Sequence, residues 1–284
     1  MTALMTRQEP VEYERTGELM IHPDYLKTLA SNGLCDMGVL LETPGDNRLD
    51  KRGLASWRQR LVLTLNTANG TQKCYLKRFT QPPLRQQFIN LLAGFGSTAE
   101  VEFHWIQQLT RLGIATPQVV ACGSRRNGFR EVASLLLTAE LHGESLEKWL
   151  PRRAASLGRN MKRSLSQSLA ALVARLHNAG LVHRDLYMSH IFIAAKGEND
   201  INLSLLDLQR VARPRWRRWR RIVKDLAAMN YSTPLFVATN ADRVRWLKLY
   251  LDMRNVSAHQ KALIRAVVRK TGRIARHSAK HGLG

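Results

Sequence analysis

The segment from Leu181 to Asp207 constrains the fold of this 284-residue chain more than any other. It reads Leu-Val-His-Arg-Asp-Leu-Tyr-Met-Ser-His-Ile-Phe-Ile, followed by a polar turn and then Leu-Ser-Leu-Leu-Asp. Two short apolar runs around a polar turn favour a β-hairpin over a helix. Such a hairpin would hold Asp185 and Asp207 at the mouth of a cleft, with His190 between them.

The charge balance sets this chain apart from an ordinary soluble protein. Lysine and arginine total 44 against 22 acidic residues, which gives a formal net charge of +22. An excess this large implies a polyanionic partner. Nucleic acid, anionic lipid headgroups and phosphorylated glycans all satisfy that requirement, and the charge by itself does not separate them.

Cysteine usage and the apolar runs predict a cytoplasmic protein. Cys35, Cys74 and Cys122 form neither a CxxC pair nor an even set, so we expect no zinc site and no disulfide framework. The N-terminus lacks the apolar core of a signal peptide, and no run approaches the roughly 18 apolar residues of a membrane span. Attachment to a membrane surface stays open.

The first half of the chain is predicted to form an antiparallel sheet. Strands are expected at Met37–Thr43, Arg60–Asn66, Lys73–Phe79, Pro117–Cys122 and Ala133–Ala139. Asn69-Gly70 and Asn127-Gly128 mark turns, because both residue types tolerate positive φ. The glycine-containing basic loop Pro44–Gly53 is a candidate cover for a phosphate.

Ser97–Leu112 is predicted to be the main helix of this half. Ser97 or Thr98 can cap it. An apolar stripe at helical spacing consists of Val101, Trp105, Leu109 and Leu112. Glu102 lies at the edge of that stripe, and both a solvated helix glutamate and an ion-pair partner are open for it.

The sequence changes character at Glu140-Leu-His-Gly-Glu-Ser-Leu-Glu, which we interpret as a hinge. The predicted domains are a lead-in of residues 1–33 with one short helix near His22–Ser31, a sheet lobe of residues 34–140 and a C-terminal lobe of residues 141–284. Apolar periodicity predicts a helix over Met161–Ala179, ended by Gly180. Further helices are expected at residues 222–231, 241–253 and 258–277.

Together the two halves resemble the protein-kinase-like fold, and the closer match is to the bacterial lipopolysaccharide core kinase family, which phosphorylates heptose or Kdo sugars. The resemblance covers about residues 35–235 and is carried by His183-Arg-Asp-Leu-Tyr-Met-Ser-His190, Leu205-Leu-Asp-Leu-Gln-Arg210 and Lys224-Asp225-Leu226. It implies an α+β, bilobal protein-kinase-like fold. An N-terminal antiparallel sheet lobe with one main helix would precede a mostly helical C-terminal lobe.

The resemblance also implies a role for each residue of the expected active site. Lys77 looks like the strand lysine that grips the α- and β-phosphates of ATP, held by an ion pair with Glu102. Asp185 looks like the residue that orients and partly deprotonates the acceptor hydroxyl. Asp207 looks like the principal Mg²⁺ ligand, a hard carboxylate for a hard cation. His190 takes the second-metal position, although imidazole is a poorer Mg²⁺ ligand and a bond to Asp207 or to a phosphate is the alternative.

Two further groups of residues have assigned roles. Because the basic loop lacks the usual glycine signature, the phosphate cover is assigned to Arg48, Lys51 and Arg52. Glu140 is also assigned to nucleotide binding. Asp225 is interpreted as a structural residue that bonds the backbone of the catalytic loop, and His183 as a packed support of the same loop.

The chain is intensely basic beyond Asp207. We define the basic segment as Arg215, Trp216, Arg217, Arg218, Trp219, Arg220 and Arg221. Its two tryptophans are predicted to share a helix face with arginines around them. Tryptophan favours the membrane interface and arginine pairs bidentately with phosphates, so docking on the acceptor or an anionic membrane is expected. A solvated face with two core tryptophans is the alternative, and no recognised nucleic-acid-binding module accompanies the charge.

With the charge and the basic segment, the resemblance implies an ATP- and Mg²⁺-dependent sugar kinase of the lipopolysaccharide inner core, peripheral on the cytoplasmic face of the inner membrane. Heptose is the first choice of acceptor and Kdo the second. Asp207 is followed by Leu-Gln rather than Phe-Gly, and no Ala-Pro-Glu closes an activation segment, which argues against a regulated protein kinase. The alternatives are a catalytically weak, kinase-like lipopolysaccharide- or membrane-binding assembly factor, and a protein or small-molecule kinase.

Overall fold

The protein is described from a computed structural model that covers residues 11–49, 55–195, 197, 200–252 and 258–281. Two compact units divide the chain: residues up to Gly113 with Pro117–Glu140, and Ile114–Thr116 with the residues from Leu141 onward. The first unit holds a seven-stranded sheet, and most of the helices belong to the second. The architecture is α+β, as predicted.

In its described residues, the sheet unit contains seven strands and four α-helices. The strands are β1 (Glu14–Thr16), β2 (Leu19–Ile21), β3 (Asn47–Arg48), β4 (Arg58–Thr67), β5 (Gly70–Thr80), β6 (Val119–Asn127) and β7 (Arg130–Ala139). The helices are α1 (Pro23–Ser31), α2 (Met37–Glu42), α3 (Leu84–Leu92) and α4 (Thr98–Arg111). The strand order is β1-β2-β6-β7-β5-β4-β3, and every neighbouring pair is antiparallel.

Period-two alternation builds the core of this sheet. Leu61, Leu63 and Leu65 of β4 point inward, because side chains of a strand alternate between the two faces. The β4–β5 turn closes at Gly70, whose φ of +125° suits a residue without a Cβ. The hairpin predicted from Asn69-Gly70 is therefore confirmed.

One expectation for the N-terminal part of this unit is wrong. Met37–Thr43, expected as a strand, is mostly helix α2, because the Asp36 carboxylate accepts from Val39 N (3.0 Å) and Met37 and Leu40 are buried at helical spacing. A short apolar run does not distinguish a strand from a buried helix. The residues of the predicted lead-in also contribute to the sheet, because β2 pairs with β6 and Leu19 lies in the core.

Helix α4 begins after its cap Ser97, as expected, but buries a different face from the predicted one. Its buried side chains include Glu102, Ile106 and Leu109, whereas Val101 and Trp105 are half-buried. The buried face is therefore shifted by about one residue from the predicted apolar stripe, from Val101 and Trp105 to Glu102 and Ile106. Glu102 consequently faces the interior and is not solvated.

Where the structure describes it, the second unit contains three short strands and five α-helices. The strands are β8 (Glu144–Ser145), β9 (Ile191–Ala195) and β10 (Ile201–Leu205), in the order β10-β9-β8. The helices are α5 (Leu146–Arg153), α6 (Arg159–Asn178), α7 (Arg218–Ser232), α8 (Asn240–Tyr250) and α9 (Ala258–His281). The β9–β10 hairpin confirms the prediction made from the apolar runs, with Ile193 opposite Leu203.

Candidate active site

In the sheet unit, Lys77 of β5 and Glu102 of α4 form a bidentate ion pair. Lys77 Nζ lies 2.7 and 2.8 Å from the two carboxylate oxygens of Glu102. Glu102 is only 4% exposed, so the charge of Lys77 compensates a carboxylate that would otherwise be costly to bury. The pair fixes the direction of the lysine side chain on the central part of the sheet.

Two other nucleotide-contact candidates of this unit, Glu140 and Arg48, are exposed. Glu140 follows β7; its N–H donates to the Lys73 carbonyl (3.0 Å) and its carboxylate accepts from the Tyr75 hydroxyl (3.2 Å). Arg48 lies on β3 at the far edge of the sheet. Lys51 and Arg52 lie outside the described residues.

In the second unit, Asp225 of α7 holds the backbone of the loop that carries Asp185. Its carboxylate is fully buried and accepts from His183 N and Arg184 N, both at 2.7 Å. Arg184 adopts a left-handed φ of +71°, which the two hydrogen bonds stabilise. The predicted structural role of Asp225 is therefore confirmed.

His183 supports the same loop from inside the unit. Its ring is fully buried and Nε2 donates to the Leu206 carbonyl at 2.9 Å, because a carbonyl oxygen can only accept. Burial lowers the pKa of His183 from its ordinary value. A buried, neutral imidazole that joins this loop to the residue before Asp207 acts as a support, as predicted.

Two cations bind the carboxylate of Asp185. Arg210 Nη1 lies 3.0 Å from Oδ1 and 2.7 Å from Oδ2, and Lys224 Nζ lies 3.4 Å from Oδ1. Lys224 also donates to the Arg184 carbonyl. Burial lowers the pKa of Lys224, and the nearby Asp185 carboxylate opposes that shift. The carboxylate is thus fixed from two directions.

His190 links Asp185 to Asp207. Its Nδ1 donates to the Asp185 carbonyl oxygen at 2.8 Å, and its Nε2 lies 3.8 Å from Asp207 Oδ2. In the neutral ring, the Nε2 lone pair and the carboxylate oxygen are two adjacent donors to a cation. Asp207 itself has a left-handed φ of +55°, which aspartate tolerates better than most residues.

His190 Nε2 and the Asp207 carboxylate suit a metal ion that takes its remaining ligands from water or phosphate. In the described part of the chain, no group of three or more His, Cys, Asp or Glu side chains could hold a metal. Magnesium is usually held by one or two protein carboxylates together with water and phosphate oxygens. The residues present therefore fit Mg²⁺ on a nucleotide better than a closed metal site.

The basic segment lies at the start of α7 and is exposed at all seven positions. The prediction that its tryptophans share a helix face is wrong: the helix starts at Arg218, and Arg217 before it has a left-handed φ of +55°. The core alternative is also contradicted, because Trp216 is 85% exposed and Trp219 is 40% exposed. Arg218 donates to the His177 carbonyl at the end of α6 and has a structural contact as well.

Sequence reasoning missed Arg210 and Lys224 as partners of Asp185. Both lie inside the stretches Leu205–Arg210 and Lys224–Leu226, which were singled out for other residues. The signal that could have identified them is the basic residue in each stretch, Arg210 in the first and Lys224 in the second. Arg210 and Lys224 are 25 and 39 residues from Asp185 in the chain, so spacing along the sequence does not show that they bind the same carboxylate.

Comparison with known proteins decides the family. Residues 50–250 match the lipopolysaccharide kinase (Kdo/WaaP) family. The chain belongs to this family. It is 30% identical over 198 residues to the lipopolysaccharide core heptose(I) kinase WaaP of Pseudomonas aeruginosa, covering 65% of this chain and 71% of that protein. It is 28% identical over 194 residues to the kinase of the same name from Escherichia coli K12, covering 65% and 72%.

The fold agrees with this family assignment. A solved structure of WaaP in complex with acyl carrier protein aligns with a TM-score of 0.68 and 24% identity, covering 90% of this chain and 98% of that one. The protein-kinase-like fold is therefore confirmed.

The chain is a lipopolysaccharide kinase, a phosphotransferase whose acceptor is a sugar hydroxyl, and membership of a kinase family implies ATP as the donor. None of the helices within the described ranges is long and apolar enough to cross a bilayer.

Proposed function

We propose that this protein transfers the γ-phosphoryl group of ATP to a heptose hydroxyl of the lipopolysaccharide inner core. The observation that carries the proposal is the chain of contacts from Asp185 through His190 to Asp207, with Asp185 bound by Arg210. Heptose is preferred because the relatives from P. aeruginosa and E. coli are named heptose(I) kinases. Kdo is the second choice.

Each residue has a distinct task in this mechanism. Phosphoryl transfer depends mostly on positioning and on neutralising charge. Lys77, held by Glu102, binds the α- and β-phosphates. Asp185 accepts a hydrogen bond from the acceptor hydroxyl and orients its oxygen for in-line attack, then takes its proton. Arg210 and Lys224 keep that carboxylate from turning away.

Asp207 and His190 Nε2 would hold Mg²⁺, which supplies charge neutralisation at the phosphate oxygens. The chain itself fixes both donors before any nucleotide arrives. The Asp185 carbonyl orients the His190 ring, and His190 O accepts from Leu206 N at 2.9 Å, next to Asp207. Preorganised donors lose less entropy when the nucleotide binds.

We also propose that the sugar acceptor lies at a membrane surface and that the basic segment binds this surface. Its five arginines and two exposed tryptophans combine phosphate-binding forks with side chains that favour the headgroup region. This supports a peripheral position on the cytoplasmic face of the inner membrane.

The test is mass spectrometry of core oligosaccharide from cells that lack the gene and are complemented with wild-type protein or Asp207→Ala. We expect a phosphate on one heptose with the wild-type protein and its absence with Asp207→Ala, because the metal loses its carboxylate ligand. Asp200→Ala, an exposed aspartate before β10, is the matched control and should restore the phosphate. Full phosphorylation by Asp207→Ala would favour the catalytically weak assembly factor, and a phosphate on Kdo alone would change the acceptor.

A further inference from the structure

Helix α3 exposes its apolar side chains and buries a polar one, which is the opposite of an ordinary surface helix. Its sequence is Leu-Arg-Gln-Gln-Phe-Ile-Asn-Leu-Leu, and Asn90 alone among these nine described residues is buried. Its apolar side chains are instead exposed: Leu84 62%, Phe88 60%, Ile89 48%, Leu91 50% and Leu92 73%. A surface helix normally turns its apolar stripe to the core and its polar face to water.

Polar side chains anchor α3 in this orientation. Asn90 Nδ2 donates to Thr98 Oγ1 (3.2 Å), and Gln86 Nε2 donates to Asn90 Oδ1 (2.9 Å). Gln87 donates to the Pro82 carbonyl (2.6 Å) and accepts from Glu131 N (2.8 Å). These bonds hold the amides against the sheet unit, so Leu84, Phe88, Leu91 and Leu92 form a stripe that points away from it.

Exposed apolar and basic residues lie close to this stripe in the chain or through its contacts. Phe129 is 86% exposed at the tip of the β6–β7 hairpin, two residues from the Glu131 that α3 contacts. Arg85 on the helix and Arg130 beside Phe129 are exposed, whereas α3 carries no acidic residue. Five exposed apolar side chains on one short helix form the kind of contiguous patch that marks an interaction site.

We propose that α3, together with Phe129, is an interfacial helix that inserts its apolar stripe into an anionic membrane. Exposed leucine and phenylalanine beside arginine, without acidic side chains, is the composition of helices that lie in the headgroup region. The positive charge complements anionic lipid, and a net charge of +22 brings the protein there. The inference extends the proposed membrane attachment with a second, apolar contact surface.

The test separates apolar insertion from electrostatic attraction. Full-length protein, without ATP or acceptor, is cosedimented with phosphatidylglycerol/phosphatidylethanolamine vesicles at about 0.05 M and about 0.5 M salt, because high salt screens surface charge. We expect wild-type protein to retain binding at high salt. The double variant Phe88→Ser, Leu92→Ser should bind at least about tenfold more weakly at high salt, since it replaces two apolar side chains that insertion would remove from water.

Two controls make the result specific. Val39→Ser alters a 44% exposed valine of the same unit outside the patch and should bind like wild type. Because both substituted side chains are exposed, the double variant should keep its circular dichroism and Tm. Unchanged high-salt binding by the double variant would overturn the proposal. So would a wild-type dimer that the double substitution dissociates without affecting vesicle binding, since the occupant would then be a second copy. The kinase assignment stands or falls separately, by the phosphorylation assay.

Discussion

At the scale of single residues, the site is organised by hydrogen bonds to backbone groups as much as by the side chains that face the substrate. Asp225 and His183 touch no substrate in the proposed mechanism, yet they fix the two ends of the segment between Arg184 and Leu206. Positioning of this kind contributes to catalysis because small displacements of a reacting group slow the chemical step.

Arg210 gives the residue-scale prediction. Arg210→Ala removes two contacts from the Asp185 carboxylate, so the carboxylate can turn away from the acceptor hydroxyl. We expect kcat to fall about 10- to 100-fold with little change in the KM for ATP. Arg210→Lys should recover part of the loss, because lysine keeps the charge but not the fork.

The measurement is steady-state phosphorylation of purified acceptor over a range of ATP concentrations. Arg213→Ala, an exposed arginine three residues further along, is the matched control and should keep wild-type kcat. A wild-type kcat for Arg210→Ala would show that the ion pair has no part in positioning Asp185.

At the scale of elements, close backbone approaches decide where the small sheet of the second unit can form. β8 begins beside Gly143, which has a φ of +105°, and pairs with β9 through Glu144 and Ile193. A Cβ at Gly143 would lie 2.1 Å from the Ile193 carbonyl oxygen. Only glycine fits there, so a single residue within the interpreted hinge controls the pairing of β8 with the hairpin.

Gly143→Ala is therefore expected to be strongly destabilising. Backbone strain at positive φ and the clash with a carbonyl together should cost about 3 kcal/mol or more. Differential scanning calorimetry should show a Tm lowered by several degrees. Gly197→Ala, whose added Cβ would meet nothing within 4 Å, is the control and should leave the Tm unchanged. Equal Tm values for both variants would contradict the steric argument.

At the scale of the whole molecule, a net charge of +22 attracts any anionic surface. We expect most of that attraction to come from the basic segment rather than from the net charge as a whole. Arg215→Ser, Arg220→Ser, Arg221→Ser removes three exposed charges of the basic segment. It spares Arg218, which donates to the His177 carbonyl, and Arg217, which has a left-handed backbone. At about 1 kcal/mol per basic residue, affinity for anionic vesicles at low salt should fall about 100-fold.

The control removes the same charge elsewhere. Lys148→Ser, Arg159→Ser, Arg163→Ser changes three exposed residues of the same unit and should have a much smaller effect in the vesicle cosedimentation assay. If both triple variants lose the same affinity, attraction depends on net charge alone and the basic segment is not a docking site.

The sequence by itself determined the pieces whose information is local. Alternation and turn residues predicted β4, β5 and their hairpin, and periodicity ended by Gly180 predicted α6. The motif around His183 and the later Asp207 led to the family, which the comparison with known proteins confirmed. These features depend on neighbours within a few residues, so spacing along the chain is sufficient to find them.

Only the tertiary structure decided which face of an element is buried and which charges meet. It turned Met37–Glu42 into a helix, moved Glu102 into the interior and exposed both tryptophans of the basic segment. It brought Arg210 and Lys224 to Asp185 and turned the apolar stripe of α3 outward on anchoring amides. The physical reason is that burial and ion pairing are set by partners distant in sequence, whose free energies of a few kcal/mol outweigh local propensity.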